Sequence, residues 1–159
     1  ATREAFADLW RFLLGVDLVD RIEAPCRPAD EPLEPLLTDP RSCSVTWAGD
    51  DLWLRLVDVP RALSARSYAP AGRVVIDVRD AVLPANAGRF EVSDEGVIRS
   101  DRAAQVRIDV DALAMLYLGT WRPSDLLAAG RLEVVDAKAV ATFGTLLGTD
   151  TRPWCGTFF

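Results

Sequence analysis

Short alternating segments in the middle of the chain, followed by helical ones, constrain its fold more than any other feature. In residues 73–79, apolar and charged side chains alternate as in a half-buried strand. Segments 88–93 and 97–100 flank Asp94-Glu95-Gly96, which predicts a β-hairpin. Strands first and helices later predict an α+β fold with a mostly antiparallel sheet and helices on one face. The predicted strands are residues 18–23, 42–47, 52–58, 73–79, 88–93, 97–100, 106–110 and 131–135.

Helix signals are local and repeated along the chain. Thr2 precedes apolar residues at helical spacing, and Asp58 precedes Pro60 in a predicted first turn. Asp136 begins the last helix, and Gly119 ends a helix that is apolar on nearly every side. The predicted helices span residues 1–16, 30–37, 111–118 and 124–129, and two more begin at 58 and 136. Trp10, Trp47 and Trp53 lie in apolar patterns and are predicted to be core residues.

Composition excludes several classes of site. The chain contains no histidine, which rules out Ser-His-Asp and Cys-His catalysis within it and removes most zinc sites. A net charge of −6 argues against a nucleic-acid partner. The apolar runs are shorter than a membrane span requires. Cys26, Cys43 and Cys155 have no paired spacing, so we interpret them as free thiols of a reducing cytoplasm.

The segment from Arg152 to Phe159 is apolar and aromatic, whereas chain ends are normally polar and frayed. Aromatic residues here predict that the segment docks onto other residues. A docked α-carboxylate on Phe159 within hydrogen-bonding reach of an amine is able to act as a general base. The alternative from the residues alone is that Phe158 and Phe159 only fill a groove. The chain starts at Ala1 without an initiator methionine, so we expect it to be part of a longer polypeptide.

Several ordered motifs resemble the Eis (enhanced intracellular survival) family of N-acetyltransferases. Residues 51–63 followed by Arg66-x-Tyr68 match the family pattern D-x-W-x-R-x-x-D-V-x-x-A-L…R-x-Y. Residues 86–90 (NAGRF), 116–119 (LYLG) and 153–156 (PWCG) match in the same order. Because these matches extend over nearly the whole chain, the resemblance is more specific than any one of them.

The resemblance implies a domain organisation and a set of partners. Residues 1–41 are expected to be the remnant of a central GNAT-like domain with a connector, and residues 42–159 a domain with a sterol-carrier-protein-like fold. Family members assemble as hexamers and transfer acetyl groups from acetyl-CoA to amines, including aminoglycosides and lysine side chains. The resemblance assigns acetyl-CoA binding to an N-terminal domain that these residues do not include. We therefore expect the chain alone to be inactive.

In the resemblance, the catalytic base is the chain's own terminal carboxylate, and this role falls on Phe159. The neighbouring aromatic residues Phe158 and Trp154 are predicted to bind the substrate. Tyr68 and Tyr117 do not match the family's general-acid tyrosine and are given no catalytic role. We assign no cofactor-binding or metal-binding residue in this chain.

Two other functions remain open at this stage. A sterol-carrier-like fold is able to hold a lipid in an apolar tunnel, which would make the chain a binding module. The domain is alternatively an oligomerisation scaffold, a function that apolar surface outside the core would support.

Overall fold

The structure is a computed structural model that describes residues 2–50 and 52–157. The chain divides into two compact units. The first comprises the described parts of residues 1–52 and 154–159, and the second comprises residues 53–153. The last segment of the chain therefore belongs to the same unit as the first segment.

The first unit contains one α-helix, α1 (Arg3–Leu14), which begins as predicted: the Thr2 hydroxyl accepts a hydrogen bond from the Ala5 N–H at 3.2 Å. Trp10 is only 6% exposed, which confirms its predicted burial. The helix predicted over residues 30–37 is instead a 3₁₀ turn at Glu34–Leu36. Pro32 and Pro35 have no N–H to donate, so an α-helical hydrogen-bond ladder does not form there. A second 3₁₀ turn spans Pro40–Ser42.

Three predicted strands are wrong. Residues 18–23 and 42–47, and the described residues of 52–58, form no strand in the part of the chain that the structure describes. A strand needs the backbone of a neighbouring strand, and apolar side chains do not supply that partner. Leu18 also has a φ of +60°, which interrupts an extended segment. Trp47 and Trp53 are 76% and 86% exposed, so their assignment to the core is wrong as well.

The second unit is built on a five-stranded sheet in the order β3-β2-β1-β4-β5. Strands β1, β2 and β3 form an antiparallel meander, β4 runs parallel to β1, and β5 runs antiparallel to β4. The mixed α+β fold with a mostly antiparallel sheet is therefore confirmed. The strands are β1 (Arg73–Arg79), β2 (Gly88–Ser93), β3 (Gly96–Arg99), β4 (Val106–Asp109) and β5 (Leu132–Val134).

Four helices accompany the sheet: α2 (Val59–Ser64), α3 (Val110–Tyr117), α4 (Pro123–Ala128) and α5 (Ala137–Leu147). The side chains of Asp58 and Asp136 accept backbone hydrogen bonds at the starts of α2 and α5, as the sequence predicts. Gly119 follows α3 with a φ of +82°, a left-handed conformation that an L side chain rarely adopts.

One face of the sheet is covered by helices. Apolar residues at every second position of the strands are buried in the same cluster as apolar residues of the helices. Many of the alternate positions carry charged side chains, and some of these pair across strands, as Arg107 and Glu133 do at 2.6 Å. The largest fully buried side chains include Leu63, Ile76, Phe90, Ile108, Leu113, Leu116 and Phe143.

Arg66 joins the carboxyl-terminal ends of two helices. Its guanidinium donates hydrogen bonds to the carbonyl oxygen of Tyr117, which ends α3, and to that of Leu147, which ends α5, the latter at 2.9 Å. The hydroxyls of Tyr68 and Tyr117 donate to the last turn of α2 at 2.6 and 2.9 Å. Arg66 thus supplies donors to carbonyls at the ends of α3 and α5. The tyrosine hydroxyls add a second hydrogen bond to carbonyls of α2 that already accept from the Ala65 and Arg66 N–H groups. The R-x-Y and L-Y-L-G motifs therefore have a structural role in this unit.

Alkaline unfolding should depend on Tyr68. Burial raises its pKa to about 12, against about 10 in an unfolded chain. Between these values the folded state binds more protons, so stability is intact below pH ~10 and is lost as the pH rises towards ~12. The free energy of unfolding is measured in urea at pH values from 7 to 12. Its decrease with rising pH should be less steep in Tyr68→Phe than in the unaltered protein, by up to about 1.4 kcal/mol per pH unit. Equal slopes for the two proteins would contradict this assignment.

Candidate functional site

The described end of the chain is held through Trp154. Its indole N–H donates a hydrogen bond to the carbonyl oxygen of Cys26, with the nitrogen and oxygen 3.1 Å apart. Trp154 is 52% exposed, so part of the ring remains available for other contacts. Phe158 and Phe159, predicted as substrate-binding and catalytic residues, lie outside the described residues. Their roles, and the substrate-binding role of Trp154, remain predictions.

The segment that receives Trp154 is itself anchored. Cys26 has a φ of +56°, a left-handed conformation that is uncommon outside glycine. Arg27 donates to both oxygens of Glu31 at 2.7 and 2.5 Å, and the Trp10 indole donates to the same carboxylate at 3.1 Å. The hydrogen bond from Arg27 lowers the pKa of Glu31, and the Trp10 indole contributes in the same direction while burial opposes both. Glu31 therefore connects α1 to the segment that follows Cys26.

Gly156 permits a close approach of the Trp154 ring. A Cβ atom at position 156 would lie 2.4 Å from carbon ζ2 of the indole, far inside van der Waals contact. Gly49 stands in the same relation to Trp47, also at 2.4 Å. In both Trp-x-Gly segments, the missing side chain leaves room for the ring to fold back over the backbone.

The second unit has a cleft of about 510 Å³ at the carboxyl ends of the neighbouring parallel strands β1 and β4. Crevices at such strand ends are frequent ligand sites in open sheets. Here the lining is largely charged. Arg55 is paired with Asp80 at 2.8 Å, and Arg79 is paired with Asp109 at 2.8 Å. The remaining lining residues are Ala81, Val82 and Val110.

Asp80 is a structural carboxylate in this cleft. Its side chain is fully inaccessible to solvent and accepts hydrogen bonds from Asn86, Leu83, Val82 and Arg55. The hydrogen bond from the Asn86 amide, followed by those of the backbone, holds the pKa of Asp80 well below its usual range. A carboxylate that stays ionised and is fully occupied by donors is unsuited to act as a general acid or base.

The network of Arg55, Asp80 and Asn86 was not predicted from the sequence. Asn86 donates to Asp80 and to the Leu56 carbonyl at 2.9 and 3.2 Å, and its amide oxygen accepts from the Val59 N–H at 3.0 Å. The available signal was the N-A-G-R-F motif, which contains the only asparagine of the chain. No local sequence signal connects Cys26 with Trp154, because the two residues lie 128 positions apart.

Neither a metal cluster nor a membrane helix is found within residues 2–50 and 52–157. No group of three or more His, Cys, Asp or Glu side chains lies close enough together to hold a metal ion in this part of the chain. None of its helices is long and apolar enough to cross a bilayer.

Two family models match the chain. Residues 59–156 match the sterol carrier protein domain, and residues 1–68 match the acetyltransferase (GNAT) domain. The first model covers more than half of the chain and includes all five strands of the sheet. The two matches overlap at residues 59–68, where α2 lies.

Curated relatives are N-acetyltransferases. An uncharacterized N-acetyltransferase of Streptomyces coelicolor is 41% identical over 93% of this chain, and the N-acetyltransferase Eis of Mycobacterium tuberculosis is 40% identical over 94%. The chain spans 37% of the length of each of these relatives.

Solved structures agree with this relationship. The crystal structure of Eis1 from Mycobacterium abscessus matches 99% of this chain with a TM-score of 0.94 and 43% identity, and the chain covers 41% of that protein. A GCN5-related N-acetyltransferase from Anabaena variabilis matches 66% of this chain with a TM-score of 0.59 and 27% identity, and 28% of that protein is covered. The chain therefore belongs to the Eis-like family, in which an acetyltransferase (GNAT) segment is joined to a sterol carrier protein domain.

Proposed function

We propose that this chain is the C-terminal part of an acetyl-CoA-dependent N-acetyltransferase that acts on amines of the aminoglycoside or lysine type. The observation that carries this proposal is the 40% identity to the N-acetyltransferase Eis over 94% of the chain. The chain covers 37% of that relative, so the remainder of such a polypeptide would supply the acetyl-CoA site. A homo-oligomer, a hexamer in the full-length protein, is part of the same proposal.

The proposed contribution of this chain to the chemistry is the α-carboxylate of Phe159. The acceptor amine gives a proton towards this carboxylate, and its nitrogen attacks the carbonyl carbon of the acetyl thioester. A carbon–nitrogen bond forms, the carbon–sulfur bond breaks, and coenzyme A leaves as the thiolate. The thiolate then takes up one proton, which balances the proton that the carboxylate accepts from the amine. Phe158 and the exposed part of Trp154 would provide apolar surface beside the acceptor. The role requires Phe159 to be the last residue of the mature polypeptide, which its intact mass would test.

The cleft of the second unit does not favour the lipid-carrier alternative. Four of its lining side chains are ion-paired arginines and aspartates, whereas an acyl chain needs an apolar lining. Exposed apolar residues such as Trp53 and Val57 favour the scaffold alternative, because a partner surface would cover them. We place the protein in the cytoplasm, because acetyl-CoA chemistry and three free cysteines both suit a reducing compartment.

An acetyl-transfer assay tests the function directly. The polypeptide that carries this chain is mixed with acetyl-CoA and either an aminoglycoside or a lysine-containing peptide, and the released coenzyme A thiol is measured. We expect thiol release that requires the amine, and none from residues 1–159 alone. Release no faster than in the amine-free control, with both acceptor classes, would refute the proposal.

A further inference from the structure

We propose that Trp154 is a positioning residue whose indole N–H anchors the end of the chain to the Cys26 carbonyl and thereby limits where the last residues reach. The inference rests on the proposed function, because it concerns the delivery of the Phe159 carboxylate. It assigns a role to the indole N–H that is separate from any contact between the ring and the acceptor. Every residue that carries it belongs to the first unit.

The reach of the chain limits the space open to the carboxylate. Phe159 lies five residues after Trp154, so an anchored carboxylate stays within about 18 Å of that residue. Release of the anchor lengthens the tether, and because the accessible volume grows with the cube of its length, the effective concentration of the carboxylate near its target falls.

The acceptor of this hydrogen bond is held in place, which a positioning contact requires. Cys26 directly precedes Arg27, whose guanidinium is bound to Glu31, and Glu31 is bound in turn to Trp10 of α1. The chain end is thus connected to a helix through three contacts in series, Trp154 to Cys26, Arg27 to Glu31 and Glu31 to Trp10. Because Trp154 and Cys26 are 128 positions apart, the hydrogen bond closes a long loop and is not a by-product of local geometry.

Gly156 is a second, independent element of the anchor. The indole lies over this residue so closely that an added Cβ would meet ring carbons at 2.4 and 2.6 Å. Its φ lies outside the left-handed region, so alanine is compatible with the backbone and would act only by displacing the ring. Gly49 and Trp47 repeat this arrangement, but the Trp47 indole makes no hydrogen bond within the described residues and is 76% exposed. The chain therefore contains its own matched control.

The kinetic experiment compares two pairs of variants in the polypeptide that carries this chain. We expect Trp154→Phe and Gly156→Ala to lower kcat for acetyl transfer by about fivefold, as loss of one neutral hydrogen bond would. The KM for acetyl-CoA and the Tm should be unchanged, because neither the cofactor site nor the core is altered. Trp47→Phe and Gly49→Ala should leave kcat unchanged. A decrease of less than about twofold relative to these controls would overturn the inference.

A measurement that does not depend on catalytic activity distinguishes this inference from the proposed function. Solvent exchange of the Trp154 indole N–H is measured by ¹⁵N NMR, with its resonance assigned by its loss in Trp154→Phe. It should exchange more slowly than the N–H of Trp47, and Gly156→Ala should abolish the difference. Equal exchange rates in the unaltered protein would overturn the anchor. Slow exchange of Trp154 with no effect of Phe159 deletion on kcat would support the anchor and overturn the proposed function instead.

Discussion

Deletion of Phe159 from the polypeptide that carries this chain is expected to lower kcat by roughly 10²- to 10⁴-fold, the usual contribution of a positioned general base. The deletion removes one residue and moves the terminal carboxylate back to Phe158, about 3.5 Å along the chain. Catalysis depends on that distance because proton transfer requires hydrogen-bonding reach. The KM for acetyl-CoA should change little, since the proposal places acetyl-CoA binding outside this chain.

Two matched variants distinguish the carboxylate from the phenyl ring. Phe159→Leu keeps the carboxylate at the same position in the chain and should retain most of the activity. Extension by two glycines keeps the ring but converts the Phe159 carboxylate into an amide, and it should be as damaging as the deletion. Thermal unfolding serves as the control for stability. If the extended protein turned over at the unaltered rate, the base would have to be another group.

Replacement of Asn86 by aspartate is expected to be among the most destabilising single changes in the second unit. Asn86 is 2% exposed, and its amide nitrogen donates to Asp80 and to Leu56. An aspartate there would direct carboxylate oxygens at two acceptors. The Val59 N–H would still donate to one oxygen, but the charge would face Asp80 with no counter-charge of its own. Breaking the pairing of a buried charge typically costs about 3–5 kcal/mol, so the free energy of unfolding at pH 7 should fall by about that amount.

The loss of stability caused by Asn86→Asp should depend on pH. Burial and the neighbouring Asp80 would raise the pKa of the new carboxyl in the folded state. Its protonated form binds preferentially to the folded state, so the loss of stability should be smallest near pH 4 and grow towards pH 7. Chemical unfolding at both pH values measures the difference.

Gln105→Glu offers a matched comparison at a more accessible position. The Gln105 amide donates to Asp136 at 3.2 Å, and the residue is half-buried. Solvent screening should therefore limit the loss in free energy of unfolding caused by Gln105→Glu to about 1 kcal/mol. If Asn86→Asp were no more destabilising than Gln105→Glu, the buried network would not have the importance inferred from its hydrogen bonds.

Helix caps and turns that depend on contacts between residues close in sequence were predictable from the sequence. The caps at Thr2, Asp58 and Asp136 are hydrogen bonds to backbone groups two or three residues away. The hairpin of β2 and β3 follows from a turn between alternating segments. The relationship to Eis-like proteins was also recognisable, because its motifs occur in order along the whole chain.

Strand predictions failed where a segment had no neighbouring strand to pair with. Residues 42–47 have the composition of a strand, but composition does not provide a neighbouring backbone, and Trp47 stays exposed. The catalytic assignment of Phe159 stays a prediction, since that residue lies outside the described part of the chain.

Short-range spacing and order along the chain were sufficient to predict the starts of α1, α2 and α5, the alternation that divides the sheet into two faces, and the family. Three features were visible only in the folded chain: β4 lies parallel to β1, Asn86 connects Asp80 to the start of α2, and Trp154 binds the Cys26 carbonyl. The hydrogen bonds of Asn86 with Val59 and of Trp154 with Cys26 join residues 27 and 128 positions apart, and two other strands separate β1 from β4 along the chain. The free energies of these contacts include the entropy cost of bringing distant parts of the backbone together, which no local pattern specifies.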